Sequence, residues 1–260
     1  MTRGGGVDET VVGATVGVAT ALEELKSRGS ALLIVGTVPE SAYTRLSERL
    51  LGAGADRRRL VVEHRRSPEQ RFESVDRWTP EWTRVFRCRI APRRSTAAVG
   101  APEARGTPRT AGRISSPQPD ATADPFDSGE YAAVTETVDG SIADLGAAVG
   151  GAVEWFDDVA GGLDPAELRV AFDCVVPLLS AYSKRRVFRL FHLLTYQIRS
   201  VGGMGHVRLS RPLDAESVRL LAPLFDATVE LRLDGTEAVH RWHFRDADVT
   251  SEWLPVDGTA

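Results

Sequence analysis

Five consecutive apolar residues, Ala31–Val35 (ALLIV), run directly into Gly36. A strand with one wet face alternates polar and apolar side chains. An unbroken short run reads instead as a strand covered on both faces, the habit of a parallel sheet with helices above and below it. Residues 1–91 contain too few helical segments to cover such a strand. The core is therefore expected to be one sheet assembled from the N-terminal and C-terminal parts of the chain.

The rest of the pattern follows that lead. Pro39 opens a helix to about Leu51, with Ala42, Leu46 and Leu50 on one face and Gly52 and Gly54 beyond its end. Arg59–Glu63 and Arg84–Ile90 read as strands. Ser141–Phe156 reads as a helix with Ser141 and Asp144 in a capping-box arrangement. Leu168–Val176 reads as a central strand, Lys184–Ser200 as the strongest amphipathic helix, His206–Leu209 as a short strand and Asp214–Leu221 as a helix. Ala227–Leu233 and Glu237–Phe244 flank Asp234-Gly235, a hairpin signal. Strand and helix alternate until that closing hairpin. The expected fold class is α/β, three layers α/β/α, with a mainly parallel sheet and a C-terminal antiparallel hairpin.

Composition matters most between Pro92 and Pro125. This stretch has six prolines and five arginines, and Val99 and Ile114 are its only large apolar residues. It cannot bury enough surface to offset its ordering entropy, so a disordered insertion over 92–125 is expected. The domain is then built from 18–91 and 126–246, with a mobile N-terminus over 1–17 and a tail over 247–260.

Net charge is −4, which gives no general attraction to nucleic acid. The arginines around the second strand (Arg57, Arg58, Arg59, Arg65 and Arg66) alternate with acids and read as a solvated ion-pair surface. The longest weakly polar run, Thr10–Leu22, is 13 residues, short of the roughly 20 that span a bilayer. Cys88 and Cys174 lie in apolar runs and read as small buried hydrophobes, and a cytoplasmic location is expected. None of the five histidines has convincing metal-ligand spacing; His240 and His243 fall on opposite faces of a strand.

The turn LLIVGTVPESAYTRL has the shape of a phosphate-binding loop: apolar strand, glycine, short loop, helix. The G-x-x-x-x-G-K-[ST] motif needs a second glycine for close backbone approach, a lysine for the β/γ charge and a hydroxyl for magnesium. Counted from Gly36, those positions hold Ser41, Ala42 and Tyr43. Thr44 lies one residue late, and Arg45 is a poor geometric substitute for the lysine. Leu168–Asp173 (LRVAFD) is an apolar strand ending in a carboxylate, the Walker B pattern.

With LLIVGTVPESAYTRLSERLL, LRVAFDCVVPLLSAYSKRRVFRLFHLLTYQIRSVGG and HVRLSRPLDAESVRLLAPLFDATVELR, the order of elements resembles the RecA/KaiC-like branch of the P-loop ATPases. More narrowly it is similar to a haloarchaeal group of that branch without a working Walker A motif. The resemblance implies a P-loop NTPase-like fold, ATP bound at Gly36–Thr44, Asp173 facing magnesium, and a catalytic glutamate for which Glu63 is the candidate. Because positions 41–43 lack the required groups, Gly36, Ser41, Ala42, Tyr43, Thr44 and Asp173 are expected to form a vestigial nucleotide site. The expected function is a non-catalytic RecA/KaiC-like domain in regulation or assembly, without a cofactor, and with a protein partner or a second copy of itself. The alternative is a residual nucleotide-binding protein or slow ATPase taking ATP-Mg at a non-standard site.

Overall fold

A computed structural model of the chain describes residues 7–52, 54, 56–64, 75, 77–89, 133–247 and 249–257, with the backbone alone for 7–17. Its strands are β1 (Ser30–Val35), β2 (Arg58–Glu63), β3 (Thr83–Arg89), β4 (Thr135–Asp139), β5 (Leu168–Phe172), β6 (Met204–Leu209), β7 (Ala227–Asp234), β8 (Glu237–Phe244), β9 (Val249–Thr250) and β10 (Leu254–Pro255). Its helices are α1 (Val7–Arg28), α2 (Glu40–Leu51), α3 (Ile142–Ala160), α4 (Val175–Ala181), α5 (Lys184–Ser200) and α6 (Glu216–Leu221). The expected disordered insertion, 92–125, lies outside the described residues.

All ten strands form one sheet in the order β10-β8-β7-β1-β6-β5-β2-β3-β4, with β9 beside β8. From β7 to β4 every neighbour is parallel. The hairpin β7–β8 and the short strands β9 and β10 are antiparallel. β1 sits between β6 and β7, and β2 between β5 and β3, so both parts of the chain build the same sheet.

Every residue of β1 is buried, as its unbroken apolar run requires. Alternate side chains enter different cores. Ala31, Leu33 and Val35 join a cluster with α3, α4, α5 and α6, while Leu32 and Ile34 join another with α1, α2 and the hairpin. Helices therefore cover both faces. The ends of β1 are pinned by specific bonds. At its start, the Ala31 amide donates to Asp226 Oδ2 at 2.8 Å, and the same carboxylate accepts from Arg199 Nε at 2.9 Å. At its end, the Gly36 amide donates to the Arg211 carbonyl at 2.8 Å.

Local chemistry sets the helix limits. The Ser141 hydroxyl accepts from the Ala143 and Asp144 amides while Asp144 accepts from the Ser141 amide, a complete capping box. Gly161 closes α3 in the left-handed region at φ 72°. Several boundaries differ from the sequence reading. The strand expected over Leu168–Val176 ends at Phe172, and Val175 already begins α4. The edge strand β4 has no counterpart in the sequence pattern because TETVD buries no residue fully on either face and carries one apolar side chain, Val138. The backbone is helical from Val7, inside the segment expected to be a mobile N-terminus. The C-terminal tail adds β9 and β10 to the hairpin edge, and Val256 is fully buried there.

Gly36 shows why the first turn admits no side chain. Its φ is 128°, and a Cβ would lie 2.1 Å from the Leu231 carbonyl oxygen on β7. Gly36→Ala is expected to cost at least about 2 kcal/mol through backbone strain and that collision. In urea denaturation the midpoint falls while the slope stays unchanged.

Candidate functional site

The C-terminal edge of a parallel sheet is where strand-to-helix turns gather and where ligands bind in open α/β sheets. Here β1 ends at Val35, residues 36–39 make the turn, and α2 starts at Glu40 after Pro39. Pro39 contributes no side-chain cap, so the acid in the first turn, Glu40, is what complements the helix dipole. β5 ends at Phe172, and Asp173 follows with its amide donating to the Val62 carbonyl at 2.8 Å.

The structure brings Tyr43 and Asp173 together: the phenol donates to Asp173 Oδ1. The other vestigial positions diverge. Ser41 is exposed on the helix surface. Ala42 is buried in the apolar cluster between α2, β1 and β7, so its side chain faces the sheet. Thr44 is buried, and its hydroxyl has no hydrogen-bond partner. Gly36 is occupied with the close approach to β7. Arg45, the weak substitute for the missing lysine, pairs with Asp257 at 3.1 Å on the surface and does not enter the site.

The cation at this site is Arg208, which the sequence reading did not select. It lies near the end of β6, in register with Ile34 on β1 and one residue beyond the Phe172–Val207 pair with β5. Its guanidinium carbon stacks 4.1 Å from the centre of the Tyr43 ring, and Nη1 bonds Glu40 Oε1 at 2.5 Å. Burial pulls the Arg208 pKa down, but the bond to Glu40 and the charges of Glu40, Tyr43 and Asp173 outweigh it and raise it. Deeper on the same strand, His206 Nε2 meets Ser47 Oγ at 2.7 Å, both fully buried. The usable signal was the alternation His206, Arg208 within a central strand, which sets two polar side chains on the face covered by α2.

Chemically this is a compensated charge cluster. A guanidinium is held between two carboxylates, and a phenol stacks beneath it and donates to one of them. No group of three or more His, Cys, Asp or Glu residues is arranged to hold a metal ion among the described residues.

Other expectations are corrected. Glu63, the candidate for the catalytic glutamate, is buried at the end of β2, and both Nε and Nη2 of Arg87 bond its Oε1 at 3.3 Å. Arg58 and Arg59 are not part of a solvated surface. Arg58 pairs with Glu167 at 2.8 Å, and Arg59 is 1% exposed, donating to the carbonyls of Gly52, Gly54 and Arg57. Gly52 is the C-cap of α2 while Gly54 and Arg57 lie in the turn to β2, and a guanidinium with five donors satisfies these carbonyls together. Cys88 and Cys174 are buried as expected but are not separate hydrophobes. They are joined as a disulfide between the end of β3 and the residue after Asp173. His243 bonds Glu230 at 3.2 Å, and His240 is buried with Nδ1 unpartnered.

The fold and site together define a mostly parallel α/β protein whose strand-to-helix edge carries a compensated charge cluster. The chain belongs to a family of unknown function (DUF7504), matched over residues 29–231. Comparison with curated proteins finds no match.

Two expected outcomes follow from this packing. Ala42→Lys, which rebuilds the Walker lysine in sequence, forces an ammonium into the apolar cluster of α2. It is expected to cost roughly 2–4 kcal/mol and to confer no ATP affinity, read by thermal melts with and without ATP-Mg. His240 has its pKa lowered to about 4 by burial and the nearby Arg49, against an opposing bond to the Leu254 backbone. Between that value and its ordinary one the unfolded chain binds the extra proton, so stability falls as pH drops from about 6.5 toward 4. The loss between pH 7 and pH 5 is about 2 kcal/mol. It is expected to shrink in His240→Asn, measured by denaturant titration at the two pH values.

Proposed function

We propose that the chain is a RecA/KaiC-like domain that no longer hydrolyses ATP and serves in regulation or assembly, its phosphate seat filled by its own side chains. The observation that carries this reading is the placement of Tyr43. The residue in the position of the magnesium-binding hydroxyl bonds the Walker B-type carboxylate Asp173 directly and lies under Arg208. A nucleotide would have to displace a fully buried phenol and break the Glu40–Arg208 pair before reaching any donor. The topology supports the reading as well: the turn after β1 and the carboxylate after β5 open on the same sheet edge, one strand apart. No helix among the described residues is long and apolar enough to cross a membrane.

Calorimetric titration of ATP-Mg into the full chain tests it. The expected result is no binding tighter than about 1 mM and no phosphate release above background. One observation favours a second reading, residual nucleotide binding: a cation, Arg208, lies over Tyr43 at this same sheet edge. On that reading micromolar ATP-Mg raises the melting temperature, and Arg208→Ala and Asp173→Ala each abolish the rise.

A further inference from the structure

The outward side of the helix pair α3 and α5 is built for contact. Leu193 and Tyr196 on α5 are 51% and 67% exposed, an unusual display for a leucine and a tyrosine on one helix face. Next to them α3 presents Ala143, Ala147 and Gly151, all exposed and one helical turn apart. The two helices run parallel: a side chain added at Gly146 would meet Leu190, and one added at Gly150 would meet Gln197. The apolar side chains of α5 and the small residues of α3 therefore lie side by side at the middle of the pair.

Charge is divided between the two ends of this surface. Arg185, Arg186 and Arg189 are exposed at the start of α5. Glu154 and Asp158 are exposed at the end of α3, and none of the five forms an ion pair with another of the described residues. The basic and acidic ends are separated by roughly 20 Å along the helix axis, at 1.5 Å per residue. A two-fold axis through Leu193 and Tyr196 would lay the basic end of one copy on the acidic end of the other and apolar centre on apolar centre. That is the self-complementarity an isologous interface requires. Exposed small residues on α3 let the facing helices approach closely, and a tyrosine at the centre is a typical anchor.

We propose that this α3–α5 face is the surface on which two copies of the chain associate as a two-fold dimer. The inference concerns assembly and does not depend on whether the site at Tyr43 and Asp173 takes a nucleotide.

The test is sedimentation of the full chain across about 1–100 μM, a range suited to weak and moderate association. The wild type is expected to dimerise within it. Leu193→Glu and Tyr196→Arg, both at exposed positions, are each expected to weaken the dimer about tenfold or more while the melting temperature of the monomer stays unchanged. Replacing Arg185, Arg186 and Arg189 by Glu weakens it, and so does replacing Glu154 and Asp158 by Lys. Combining the two sets in one chain restores it. A wild type that stays monomeric throughout overturns the proposal, as does a dimer indifferent to Tyr196→Arg. Failure of the combined charge reversal to restore association overturns the two-fold arrangement. A nucleotide-binding result of either sign leaves these readings unmoved.

Discussion

Strand β1 has no wet side. Its edges are paired to β6 and β7, its faces are covered by two helical layers, and hydrogen bonds close both ends, from Ala31 to the buried Asp226 and from Gly36 to the Arg211 carbonyl. An apolar strand in that position gains about 1.5–3 kcal/mol for each large side chain taken out of water, and it does so only if partners from the distant half of the chain arrive. Asp226 makes that arrival specific. Its carboxylate takes the Ala31 amide near the start of the strand and the Arg199 guanidinium at the end of α5, fixing β1, β7 and α5 to one another. A buried carboxylate with one partner removed is far costlier than the same carboxylate paired, so this junction tolerates one arrangement.

The site inherits its geometry from that strand. Because Gly36 presses against the Leu231 carbonyl, the turn after β1 is tight, and α2 begins four residues later against the sheet. In that position Ala42 and Thr44 face the core, and Tyr43 reaches across to Asp173. The loop that resembles a phosphate cradle in sequence is therefore a packing turn in structure. Its glycine serves a close backbone approach to the Leu231 carbonyl.

How far this could be read in advance depends on how strong each local signal was. The α5 boundaries, the β7–β8 hairpin and the capping box at Ser141 were legible because each has a dominant local cause: amphipathic period, turn residues and a reciprocal side-chain bond. The pairing of Tyr43 with Asp173 spans 130 positions, and the sequence placed one in the first turn of a helix and the other at a strand end with nothing to join them. Arg208 was hidden for a different reason. A single arginine beside a buried strand carries no motif, and only the register with β1 and β5 reveals that it points at the same edge. Arg59 misled in the opposite way. Its charge suggested a surface, but the carbonyls left at the end of α2 made burial favourable.

The charge cluster has a further physical consequence. A phosphate approaching Arg208 meets a guanidinium that already holds a carboxylate from its own chain. Tethering keeps that carboxylate at an effective concentration of about millimolar or more, so a free anion competes against an internal one that pays no translational entropy. Arg208 also gains from Asp173 and the face of Tyr43, neither of which would survive entry of a bulky ligand unchanged. The lysine of a working phosphate loop waits for its anion. Here the cation, its counter-charge and the phenol are already packed against one another within the chain.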